Sequence, residues 1–144
     1  RGEDITDGHT DFYARFARPG IVVAGLESDR SAADYAVTRE HLKILRDASD
    51  ARGKRMKVVS LESPHRIRSK LETEDFAAGY INFYVVNDAV IAPEFGDSKR
   101  DSDCRDKLAD LFPDREVIQL NIDAIAAGGG GIHCVTQQEP HVHA

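Results

Sequence analysis

The chain plays one pattern twice, and that repetition restricts its architecture more than any single motif does. Residues 12–17 alternate weakly between apolar and polar, and Pro19-Gly20 then turns the chain into the apolar run 21–26. Such a pair reads as a hairpin feeding a buried strand. Ser31 is placed to cap a helix, with Asp34 in its first turn, where a carboxylate suits the positive end of the helix dipole. Val37, His41, Ile44, Leu45 and Ala48 fall on one face of that helix, and Gly53 is its expected C-terminal stop. Residues 56–61 form the next strand. The second pass has a strand at 80–86, a turn at Asn87-Asp88, a strand at 89–92, a helix near 101–112 ending before Pro113, and a strand at 116–120. A strand–turn–strand–helix–strand unit recurring after about 60–70 residues predicts an α/β repeat whose units need neighbours to bury their apolar faces. The units span about 9–61 and 80–121. Residues 62–78, charged and aperiodic, are expected to form an exposed loop with a short helical turn at 70–76.

A length of 144 residues and 41% hydrophobic content suit a single domain with a real core. No run approaches the roughly 18 apolar residues of a membrane span. Residues 1–11 are polar and acidic, without the pattern of a signal peptide. A net charge of −6 and dispersed Lys and Arg argue against nucleic-acid binding. Two cysteines set no disulfide framework, and a reducing cytoplasmic setting is the expectation. Cys104 falls at i, i+4, i+7 spacing with Leu108 and Leu111 and reads as a core thiol.

The chemistry-bearing residues lie near the two ends. Four consecutive glycines, 128–131, cost much backbone entropy and deliver the chain to Ile132-His133-Cys134. From composition alone the run also fits a flexible linker before a frayed tail. A cysteine beside an imidazole and bare amides, however, has the setting of a nucleophilic thiolate. Asp7-Gly8-His9-Thr10-Asp11 separates an imidazole and a carboxylate by two residues, which on an extended strand share a face. By the same alternation His133 points away from Cys134 and reads as structural. No further Cys or His pair near Cys134 has ligand spacing, so neither metal nor cofactor is expected. His41 reads as a partly buried core residue, and His65, Glu3 and Asp4 as solvated. His141 and His143 read as part of a frayed tail, and Tyr80 and Asn82 as strand and core positions.

Four segments in order carry a family resemblance: Asp7 to Asp11, Ala77-Ala78-Gly79-Tyr80-Ile81-Asn82-Phe83-Tyr84, Leu111-Phe112-Pro113-Asp114-Arg115-Glu116-Val117, and Gly128 through Pro140. In these the chain resembles the agmatine deiminase, or Porphyromonas-type peptidylarginine deiminase, family. The resemblance covers nearly the whole chain and places it as the family's C-terminal portion. It implies the pentein fold, a five-bladed pseudo-symmetric α/β propeller, with about two ββαβ blades and a closing strand here. It also implies that Cys134 is the nucleophile and His9 the acid/base. Asp11 would grip a guanidinium through paired N–H bonds, and Gly128, Gly129 and Gly130 would contact substrate. The implied reaction passes through a cysteine thiouronium intermediate without a cofactor. Agmatine would become N-carbamoylputrescine and ammonia, a step of putrescine and polyamine metabolism. Phe12 and Gly79 depart from the agmatine-type pattern, which commonly has Asn and Ser there, so arginine, peptidyl-arginine or another guanidino compound is the alternative substrate. A non-catalytic fragment or assembly subunit is the alternative of another class. The implied partners are a small cationic guanidino substrate, the N-terminal half of the propeller with its further guanidine-binding acid, and further copies of the chain in a homo-oligomer.

Overall fold

The structure is a computed structural model that describes residues 8–71 and 73–140. A 3-10 turn at Thr10–Phe12 leads into β1 (Ala14–Arg18) and β2 (Ile21–Leu26), followed by α1 (Asp34–Asp47) and β3 (Lys57–Glu62). After a 3-10 turn at Ser69–Leu71 come β4 (Tyr84–Val85), β5 (Ala89–Glu94), α2 (Ser98–Leu111) and β6 (Glu116–Asn121). The short helix α3 (Asp123–Ala126) and a 3-10 turn at His133–Val135 follow. In the first unit β1 pairs antiparallel with β2, and β2 pairs parallel with β3 across α1. In the second unit β4, β5 and β6 repeat that arrangement across α2. Each unit is therefore a three-stranded mixed sheet with one crossover helix, as the repeated pattern predicts.

The two units bury each other through one face of the first sheet. Val23, Val59 and Leu61 lie on that face by register and join the same apolar cluster as Ile81, Cys104 and Leu108 of the second unit. Gly25 belongs to this face too, and a Cβ there would stand 3.5 Å from Ile81 Cγ1. The opposite face, with Val22 and Ala24, lies against α1, whose buried residue is Leu42. The second sheet turns Gln119 toward α2, where its Nε2 donates to the Asp101 carbonyl at 2.8 Å. Its other face aligns Tyr84, Ile91 and Ile118, with Leu120 beside Pro93, and both Ile118 and Leu120 are exposed.

A buried polar pin holds the chain just before β4. The Tyr80 hydroxyl donates to Asp101 at 2.7 Å, and the same carboxylate accepts the Phe95 and Gly96 amides, each at 3.0 Å. Burial and the Asp101 carboxylate push the Tyr80 phenol far up, so it remains a donor. Asp97 caps α2 by accepting from the Arg100 amide at 3.3 Å. The 62–78 segment is tied down by Arg68, which pairs with Asp123 at 3.0 Å and also with Glu94.

Several local expectations are corrected. α1 starts after Ala33 with no side-chain cap, because Ser31 Oγ is engaged by Asp29 in the preceding turn. Ile44 is 57% exposed while Leu42 is buried, so the inward stripe is rotated from the one expected. α1 has already ended at Asp47, and Gly53 serves a later turn at φ 74°. The expected strand at 80–86 contracts to Tyr84–Val85, since Tyr80 and Ile81 sit in a turn. The helical turn placed at 70–76 is the 3-10 turn Ser69–Leu71. His65 is exposed but tied, with Nε2 2.7 Å from Ser28 Oγ and 2.9 Å from an Arg100 guanidinium nitrogen. No closing strand follows β6 among the described residues: α3 and the His133–Val135 turn occupy that stretch. His41 packs edge-on to Tyr13 at 5.0 Å and is partly buried, in line with its position on the helix. Glu3, Asp4, His141 and His143 lie outside the described residues.

Candidate active site

Three segments remote in sequence meet around the Asp11 carboxylate. Asp11 lies in the Thr10–Phe12 turn, which closes by Tyr13 N–H donating to the Thr10 carbonyl at 2.9 Å. It is not on a strand, yet the tight turn still brings His9 Nδ1 to 3.8 Å from Asp11 Oδ1. The His9 side chain is 53% exposed. Cys134, in the turn His133–Val135, places Sγ 3.9 Å from Asp11 Oδ2. The three residues expected to form the site are thus brought together.

Two side chains with structural positions in the sequence pattern, Asn82 and His133, join them. Asn82 is fully buried at the centre of the cluster. Its Nδ2 donates to Asp11 Oδ2 at 3.0 Å, while its Oδ1 accepts the His133 amide at 2.8 Å and the Cys134 amide at 3.3 Å. A side-chain amide is suited to this place because it offers donor and acceptor in one group; a carboxylate of the same shape lacks the donor. The signal available in the sequence was an amide within an apolar run, between Ile81 and Phe83. His133 was expected to face away from Cys134 on a strand. The chain there is a 3-10 turn, so alternation does not apply, and His133 Nδ1 lies 2.7 Å from Asp11 Oδ2. Arg15, also unforeseen, stacks its guanidinium 4.6 Å from the centre of the Phe83 ring and donates to the Phe83 carbonyl, bracing the residue next to Asn82.

The glycine run divides its work. The amides of Gly128, Gly129 and Gly130 donate to the Ile125, Ala126 and Ile125 carbonyls at 3.0, 2.9 and 3.4 Å, closing the end of α3. Those three N–H groups are therefore directed into the helix end, so any substrate contact of these glycines would use their carbonyls or Cα atoms. Gly129 takes φ 80°, the left-handed conformation that favours glycine at such a terminus. Gly131 is required for a different reason: a Cβ there would fall 2.3 Å from Asn82 Oδ1.

Burial alone would raise the Asp11 pKa, but the hydrogen bonds from His133 and Asn82 hold it below the usual aspartate value. Asp11 is accordingly a carboxylate at neutral pH. Because the folded value is the lower one, its stabilising contribution is complete above the unfolded value and is lost as pH falls through the folded one. Cys104 differs sharply from Cys134. It is 2% exposed, and burial together with the Asp101 charge pushes its thiol up to about 12. Cys134 is exposed. In the complete protein iodoacetamide is expected to label Cys134 at least about tenfold faster than Cys104, as peptide mapping would read directly. Preferential labelling of Cys104 would overturn the choice of nucleophile. Among the described residues no group of three His, Cys, Asp or Glu side chains is placed to hold a metal ion.

The sequence pattern defining the Porphyromonas-type peptidyl-arginine deiminases matches residues 1–140. The chain belongs to this family. A Streptomyces coelicolor protein provisionally named agmatine deiminase is 42% identical over 140 residues, covering 94% of this chain and 39% of that protein. The agmatine deiminase of Medicago truncatula is 33% identical over 158 aligned positions, covering 98% of this chain and 42% of its own length. The solved structure of Enterococcus faecalis agmatine deiminase superposes with a TM-score of 0.84 at 31% identity, over 94% of this chain and 41% of that one. The chain thus spans about two fifths of the length of these relatives, and its α/β fold is that of the deiminases it matches.

Proposed function

We propose that this chain carries the nucleophile and the acid/base of a guanidine deiminase whose substrate is agmatine. The observation that supports it best is the Asp11 carboxylate with Cys134 Sγ 3.9 Å from one oxygen and His9 Nδ1 3.8 Å from the other. A guanidinium drawn to Asp11 would lie between thiol and imidazole. In this reading the Cys134 thiolate attacks the guanidinium carbon and forms a C–S bond. His9 protonates the departing nitrogen as the C–N bond breaks, and ammonia leaves a thiouronium on Cys134. His9, now neutral, takes a proton from water. The resulting hydroxide equivalent attacks the same carbon, the C–S bond breaks, and a ureido product departs with the thiolate restored. For agmatine that product is N-carbamoylputrescine.

In the same reading residues 1–144 are the C-terminal part of one catalytic domain, built as two blades of a five-bladed propeller. The uneven burial of the two sheets supports this. The first sheet's Val23–Val59 face is covered by the second unit, whereas Ile118 and Leu120 on the second sheet are exposed and suit a further unit.

The test is ammonia and ureido-product release by the complete protein across agmatine, arginine, peptidyl-arginine and other guanidino compounds. Agmatine is expected to have the highest kcat/KM. His9→Ala is expected to bind substrate yet lose on the order of 10²–10⁴ in rate. Asp11→Asn should weaken binding and turnover together, since it removes a charge that ground and transition states both use. Turnover of His9→Ala within a few-fold of the parent would remove His9 from its role, and ammonia from none of the compounds would end the deiminase reading.

A further inference from the structure

The two oxygens of Asp11 have different surroundings, and that asymmetry bears on how a cation can be held. Oδ2 is surrounded by protein: His133 Nδ1 at 2.7 Å, Asn82 Nδ2 at 3.0 Å and Cys134 Sγ at 3.9 Å. Oδ1 has His9 at the longer distance of 3.8 Å. An ionised carboxylate only accepts hydrogen bonds, so the close His133 contact requires a proton on Nδ1. That N–H fixes the rotation of the carboxylate about its Cβ–Cγ bond and leaves Oδ1 facing His9.

We infer that His133 is a positioning residue: its Nδ1–H anchors Asp11 Oδ2 so that Oδ1, beside His9, is the oxygen presented to the substrate cation. This deepens the deiminase reading and rests on it for its kinetic consequence. It also revises the paired-oxygen fork expected of Asp11, because an oxygen already accepting from His133 and Asn82 has little capacity left for a substrate N–H. Asp11 then contributes one oxygen, and the remaining guanidinium N–H groups must find acceptors elsewhere.

The test uses side chains that reproduce one imidazole nitrogen each. The amide nitrogen of asparagine falls near the position of Nδ1, and that of glutamine near Nε2. In the complete protein, His133→Ala and His133→Gln are expected to raise KM for agmatine roughly 10- to 100-fold, the scale of losing a hydrogen bond to a charged group. His133→Asn should recover to within a few-fold of the parent. Equal impairment of the Asn and Gln variants, or an Ala variant within twofold of the parent, would overturn the inference. A substrate-free reading separates it from the deiminase reading. Nitrogen-15 shifts of the His133 ring in the unliganded protein should report a proton on Nδ1, with Asp11→Asn loosening that preference. A ring protonated on Nε2 instead would refute the anchoring even if ammonia release were normal. A correct tautomer in a protein that deiminates nothing would leave the anchoring standing and remove the proposed substrate.

Discussion

Asn82→Asp is expected to reduce turnover of the complete protein on the order of 10²–10³, although it changes one nitrogen to oxygen. Asn82 makes two kinds of contact from one amide. Its oxygen holds the His133 and Cys134 amides, and its nitrogen donates to Asp11 at 3.0 Å. The acidic variant keeps an acceptor for the two amides but sets a second carboxylate oxygen against Asp11 Oδ2. Two carboxylates at that distance do not both ionise readily, so one proton should be shared between them or Asp11 should swing away. Either outcome disturbs the carboxylate beside both Cys134 and His9. The variant should also recover activity as the pH is lowered, because a shared proton restores the missing donor. Asn82→Ala should show no such recovery, as it removes the acceptor of the Cys134 amide and leaves the His133 amide only the Asn82 backbone carbonyl. A pH–rate profile of the acidic variant parallel to that of the parent would contradict this account. Gly131→Ala should impair the same turn from the opposite side, since the added Cβ would overlap Asn82 Oδ1.

The parts of the fold that were legible in the sequence are those set by short-range pattern. Pro19-Gly20 and Asn87-Asp88 mark turns between strands that pair antiparallel, and the helices that follow lead to parallel partners, as connections of that length require. Cys104, Leu108 and Leu111 are all buried, as their spacing implies. The failures arose where tertiary contacts decide. The stripe on α1 runs through Leu42 rather than Ile44 because the helix packs with a rotation that its own periodicity does not define. Strand alternation turns His133 away from Cys134, but the chain there is a 3-10 turn, in which adjacent side chains can both reach one site. Asn82 was read as a core position, and it is one; its partners lie 51, 52 and 71 residues away, a relation that no local pattern expresses. The four glycines looked alike in the sequence. Only their surroundings distinguish Gly129, chosen for its φ, from Gly131, chosen for the space taken by Asn82.

Residues 1–144 produced alone should release no appreciable ammonia from agmatine and should self-associate. The chain spans about two fifths of the relatives it matches, and its second sheet leaves Ile118 and Leu120 in water. Such a face needs a neighbour, and for residues 1–144 alone another copy is the readiest one. The chemistry is affected for a separate reason. The thiol of Cys134 is exposed and His9 is 53% exposed, so a guanidinium at Asp11 would stay largely hydrated. With Oδ2 of Asp11 already engaged, a single oxygen cannot fix the orientation of a planar cation. Holding reactants in an attack geometry is worth roughly 7–11 kcal/mol, and a site with one anchoring oxygen should forfeit much of that. Supplying the N-terminal part of the complete protein as a separate polypeptide should restore ammonia release if the units dock, together with a shift from aggregates to a defined complex in light scattering. A monodisperse monomer of residues 1–144 that deiminates agmatine at ordinary enzymatic rates would show that two units suffice, and the need for further blades would fall with it.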